Sequence, residues 1–128
     1  MRLAFAGALA AAAADTVASE LGQVWGRRTV LLTTFRPVPR GTEGAVSAVG
    51  TSMGLAAALA VAALAALTGF LPGTAVIPVT LAGVVATLLE SLMGATLARR
   101  GLLDNEGMNF LQSLAGALLV VGISWLLA

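Results

Sequence analysis

The sequence predicts an all-α integral membrane protein: a bundle of about four transmembrane helices with one cytoplasmic loop rich in Arg, Gly and Pro. Two observations carry that prediction. Hydrophobic residues make up 59% of the chain and charged residues only 10%, with a mean hydropathy of +0.98. A water-facing surface brings roughly 25% charged residues. In addition, four apolar stretches, 3–25, 44–69, 77–98 and 107–128, lie close to the roughly 20 residues that cross a hydrocarbon core.

The first stretch begins after Arg2 and runs through Asp15 to Trp25. Its early half, ending in alanines 11–14, has the composition of a signal peptide with a small-residue cleavage site. The helical pattern nevertheless continues to Trp25, so a spanning helix accounts for both halves. The second stretch holds no charge at all. Gly69, Pro72 and Gly73 then form a turn before the third. Arg99, Arg100 and Gly101 close the third stretch, and Asp104, Asn105 and Glu106 lead into the fourth. Residues 26–43 are the one substantial loop.

Arginine placement predicts orientation. With four spans, loops 26–43 and 99–106 share a side and carry Arg27, Arg28, Arg36, Arg40, Arg99 and Arg100; the other side has only Arg2. The positive-inside rule puts both loops in the cytoplasm and both termini outside the cell membrane.

Composition also narrows the chemistry. A net charge of +1 with no basic face leaves no basis for nucleic-acid binding. The absence of cysteine and histidine removes disulfides, thiolate metal sites and imidazole catalysis. Carboxylates, hydroxyls, amides and arginine remain.

Helical spacing groups these residues. On the first helix, Asp15, Thr16, Ser19, Glu20 and Gln23 fall within an arc of about 140°, opposite Val17, Leu21 and Val24. Ser47, Gly50, Thr51, Gly54 and Ala58 form a small-residue stripe on the second helix, which close helix packing explains. Gly83, Thr87, Ser91 and Gly94 surround Glu90 on the third; Asn109, Gln112, Ser113 and Gly116 share a face of the fourth. A carboxylate within a span costs about 2.5–3.5 kcal/mol even on lenient scales, so Asp15, Glu20 and Glu90 require a function or a partner. With arginines nearby they suit a Mg²⁺–phosphate site, since Mg²⁺ takes one or two carboxylates together with phosphate oxygens and water. The three are the candidate catalytic residues and metal ligands. The loop supplies candidate phosphate ligands: Arg36, Arg40, Gly41, Thr42 and Gly44, leading into Ser47 at what should be a helix start. Thr16, Ser19, Ser91, Asn105 and Asn109 are candidate supporting residues.

Four segments carry a family resemblance: residues 14–22 (ADTVASELG), 38–47 (VPRGTEGAVS), 90–96 (ESLMGAT) and 105–110 (NEGMNF). In order and spacing they resemble a membrane family that includes plant phytyl-phosphate kinase and animal transmembrane protein 19. A more distant similarity extends to dolichol kinase and phosphatidate cytidylyltransferase, carried by Asp15, Ala18, Ser19 and Gly22 and by Thr42, Glu43 and Gly44. The resemblance implies phosphoryl transfer from a nucleoside triphosphate, CTP in the distant relatives, to a prenyl monophosphate. It departs at Glu90, where the family motif usually begins with Asp. It also covers the C-terminal part of the family pattern as a single membrane domain, residues 1–128. The expected complement is a set of preceding helices, a second subunit or a homo-oligomer. The competing reading is a small transporter or ion-conducting subunit whose carboxylates line a cation path.

Overall fold

A computed structural model describes all residues, Met1 to Ala128. Four long helices pack as a bundle: α1 (Arg2–Trp25), α2 (Ala48–Leu67), α3 (Val76–Met93) and α4 (Asn105–Leu127). Each is long and apolar enough to span a membrane. α1 is unbroken, so the alanine run belongs to a span of 24 residues. α1 and α3 each pack against all the other helices.

The helices meet through small residues, because without a hydrophobic drive between apolar surfaces, membrane helices gain most by close backbone approach. Ala6, Ala10, Ala14, Ala58, Ala62 and Ala82 lie in the core. A Cβ at Gly116 would lie 2.6 Å from the Gly7 carbonyl oxygen, and one at Gly54 would lie 2.9 Å from that of Ala14. Large apolar side chains such as Leu59, Leu64, Leu118 and Trp125 instead face outward. This inversion of the soluble pattern is the arrangement a lipid solvent favours.

Two boundaries differ from the sequence expectation. α2 starts at Ala48, not Gly44, because Ser47 takes an extended conformation and its hydroxyl accepts the Gly50 N–H at 3.0 Å as an N-cap. α4 starts at Asn105, where the Asp104 carboxylate caps the Gly107 N–H at 2.8 Å. α3 is preceded by a 3₁₀ turn (Gly73–Ala75) and ends in a π-helical turn (Gly94–Ala98).

The α1–α2 connection is folded rather than loose. β1 (Val30–Leu31) pairs antiparallel with β2 (Ala45–Val46), and Val30 also bridges Pro37. Thr29 exchanges bonds with Val38: its hydroxyl donates to the Val38 carbonyl, and the Val38 N–H returns to the Thr29 carbonyl at 2.9 Å. Gly44, at φ 78°, wedges this cap against the end of α3. A Cβ there would collide with the Ala95 backbone N and come within 2.6 Å of the Ser91 carbonyl oxygen.

Candidate functional site

Beneath this cap lies a cavity of about 280 Å³, and only seven of its 24 lining residues are hydrophobic. That ratio is unusual inside a bundle of apolar spans, and each wall has a traceable origin. α1 contributes Asp15, Ser19 and Gln23, one helical turn apart along a single stripe. α3 contributes Thr87, Glu90 and Ser91, the connection contributes Gly41 to Ser47, and α4 contributes Asn105.

The Asp15 and Glu90 carboxyl groups face one another across the cavity closely enough to interact, and Ser19 lies one turn from Asp15 on the same stripe. Glu43 approaches from the cap, close enough for its charge to act on Glu90. Two carboxylates this close repel one another unless a cation or a shared proton sits between them. The pair is therefore a place in the bundle where a cation or a shared proton is favoured.

Of the residues singled out in the sequence, the cavity gathers Asp15, Ser19, Gly41, Thr42, Gly44, Ser47, Glu90, Ser91 and Asn105. The others lie elsewhere. Glu20 and Thr16 are exposed on α1 and do not line the cavity. The expected arc of 140° was too wide for all its members to face one neighbour. No group of three carboxylates stands close enough to hold a metal ion, so the cluster Asp15–Glu20–Glu90 is not assembled. Asn109 is exposed on α4. Arg36 is exposed next to Phe35, whose backbone is left-handed at φ 54°. Arg40 donates to the Gln23 and Val24 carbonyls at 3.5 and 3.4 Å, where α1 ends with unpaired carbonyls that a cation satisfies. Neither arginine lines the cavity.

Other residues at the site were not among the candidate ligands and supporting residues drawn from the sequence. Glu43 sits inside a quoted motif, and its flanking glycines were the available signal. Gln23 follows Asp15 and Ser19 at successive i+4 steps. Gln112 supports the site from below: it is 1% exposed, and its amide donates to the Ala11 carbonyl at 2.7 Å and the Thr87 hydroxyl at 3.5 Å. Nothing local to α4 foretold a partner 101 residues away.

Apolar spans enclosing a polar, carboxylate-bearing interior define an integral, multi-pass membrane protein with a buried polar site. The chain belongs to the family described as integral membrane protein DUF92, whose model matches residues 1–117. It is 48% identical over 110 residues to uncharacterized membrane protein sll0875 of Synechocystis, covering 85% of this chain and 43% of that protein. It is 38% identical over 112 residues to Protein VTE6, chloroplastic, of Arabidopsis thaliana, covering 88% of this chain and 32% of the relative. Protein PGR of the same plant is 34% identical over 138 residues, with 78% and 46% covered. The chain thus spans less than half the length of these curated relatives. No solved structure matches it.

Proposed function

We propose that this chain forms the site of a membrane-embedded phosphotransferase, a CTP-dependent kinase acting on a prenyl monophosphate. The observation that carries the reading is the Asp15–Glu90 pair in a polar cavity roofed by the Gly41–Ser47 segment. The resemblance to a family containing a phytyl-phosphate kinase supplies the substrate class.

In this reading the oxygen-only donor set at the Asp15–Glu90 pair fits Mg²⁺, a hard cation that needs only one or two carboxylates. Bound there, Mg²⁺ would neutralise phosphate charge. Ser19, one turn along α1, would support Asp15 or a phosphate oxygen, and Thr42 with the backbone of Gly41 and Gly44 would face the phosphates from the roof. The Arg40 contacts to helix carbonyls are long and would exchange for stronger, charge-assisted bonds to phosphate. Arg36 would add positive potential at the mouth. No protein nucleophile is required, because catalysis by such a site is positioning and electrostatics. The arginine loops, and with them the mouth, would face the cytoplasm, where nucleotide is available.

The test is titration of CTP into the purified chain in lipid nanodiscs, with and without Mg²⁺. Saturable, Mg²⁺-dependent binding should be lost in Asp15→Asn and in Glu90→Gln while the helical content of the protein is unchanged. Parent-like binding in both variants would remove the cavity from nucleotide recognition. Permeation of a cation through the parent, blocked in the same variants, would instead favour the ion-conducting alternative.

A further inference from the structure

The cavity has one apolar wall that the phosphate chemistry leaves unused. Leu55 on α2 and Val84 and Leu88 on α3 all line it. The seams between helices are not equally tight here. Between α1 and α2 the backbones touch: Cβ atoms at Gly50 and Gly54 would lie 2.6 and 2.9 Å from the Ala18 and Ala14 carbonyl oxygens. Between α2 and α3 a comparable contact occurs lower down, where a Cβ on Gly83 would lie 3.0 Å from that of Ala58. Between that floor and the cap, α2 and α3 face the cavity with Thr51 and Leu55 on one side and Val84, Thr87 and Leu88 on the other.

Leu55 lines the cavity and is 47% exposed. It lies eight residues beyond the Ser47 cap, about 12 Å along the helix axis. In a hydrocarbon core about 30 Å thick, that depth faces acyl chains and not water. The apolar side wall of the cavity therefore lies at hydrocarbon depth. Its volume, about 280 Å³, falls just below the range for a drug-sized ligand, roughly 300–1,000 Å³. It can hold a phosphorylated headgroup, but a long chain attached to that headgroup must leave through a wall.

We infer that the α2–α3 seam at Leu55, Val84 and Leu88 is a lateral portal, through which the hydrocarbon tail of a lipid monophosphate extends into the bilayer while its phosphate lies in the polar cavity. This inference rests on the phosphotransferase reading and specifies how its substrate sits. Leu55 and Leu88 become specificity-determining residues: they contact the tail and touch no phosphate. Because the tail leaves into lipid, the portal selects for an apolar chain without measuring its full length.

The experiment compares binding of a long-chain prenyl monophosphate with that of a five-carbon prenyl monophosphate to the chain in nanodiscs, with CTP binding as an independent readout. Filling the portal with Leu55→Trp puts an indole in the path of the tail, so that a long chain is obstructed while a short one is not. The long-chain ligand should weaken by about tenfold or more, while the short ligand and CTP bind within about twofold of the parent. Leu88→Phe, on the opposite jamb, should reproduce the effect. A long-chain monophosphate with a photoreactive group in its tail should label peptides of α2 and α3 in the parent and not in Leu55→Trp. Equal weakening of both ligands, an unchanged preference in both variants, or labelling confined to α1 and α4 would overturn the portal. With CTP binding intact, those outcomes leave the phosphotransferase reading standing; failure of the parent to bind either monophosphate defeats both.

Discussion

At the loop end of the bundle, α1 and α3 bring Asp15 and Glu90 together beneath a folded cap. At the opposite end, α1, α2 and the turn after α2 surround an apolar groove lined by Phe5, Leu9, Val61, Leu64 and Phe70. There the Phe5 and Phe70 rings meet edge to face at 6.1 Å, and the Arg2 guanidinium lies 5.6 Å from the Phe70 ring centre. The same helices run through both ends, and alanine and glycine seams hold both halves together. The difference lies in the connections. The turn after Leu67 is short, with Gly69 at φ 71°, and returns the chain directly into α3. The α1–α2 connection is long enough to fold on itself and dock on α3 through Gly44. A polar interior in this bundle thus depends on a roof as much as on the carboxylates within the spans.

The sharpest way to break that comparison is to ask whether the two ends face different compartments. The chain has no cysteine, so Arg36→Cys and Gly73→Cys each introduce a single reporter. An impermeant thiol reagent on intact cells should label Gly73→Cys fully and Arg36→Cys not at all. Labelling at Arg36 alone would invert the bundle.

Next in size is the docking of the roof. Gly44→Ala combines left-handed strain of about 1–2 kcal/mol with overpacking against Ser91 and Ala95 of about 1–3 kcal/mol. Gly41→Ala, at φ 81°, has the strain alone, since a methyl group there would meet no atom within 4 Å. Unfolding in detergent should show Gly44→Ala as the more destabilised by at least about 1 kcal/mol. Equal losses would mean that the roof is not seated on α3.

A smaller effect is expected where the polar and apolar halves meet. Gln112→Leu leaves the Ala11 carbonyl without its donor and should cost about 0.6 and at most about 1.7 kcal/mol, the mean and maximum for hydrogen bonds between membrane helices. The exposed Asn109→Leu should leave the unfolding midpoint unchanged. Smallest of all is Arg40→Ala. Loss of its contacts to the α1 carbonyls should lower stability by about 0.3–1 kcal/mol. Its effect on CTP titrations should shrink as salt rises, because exposed charges are screened.

Much of this architecture was legible in the residues. Run length and the scarcity of charge revealed the four spans, and i+4 spacing revealed the stripe of Gly50, Gly54 and Ala58 that packs against α1 and α3. The stripe from Asp15 through Ser19 to Gln23 was legible for the same reason: its members recur once per turn. Glu20 shows where that reasoning ran out, because an arc gives direction on one helix but not the width of the face its neighbours cover. Arg36 and Arg40 were harder still. Their placement follows from strand pairing and helix capping within the connection, which are set by distant backbone groups that no local pattern encodes. The start of α2 turned on a competition of the same kind, in which Ser47 gained a cap by staying extended.

The seating of Gly44 against Ser91 and Ala95 has a consequence for biogenesis. The roof segment leaves the ribosome well before the third span that it must rest on, and Asp15 likewise precedes Glu90. Until that span enters the membrane, Asp15 lacks its partner on α3 and the cap has no α3 surface to rest on. Completion of the polar interior therefore coincides with insertion of α3.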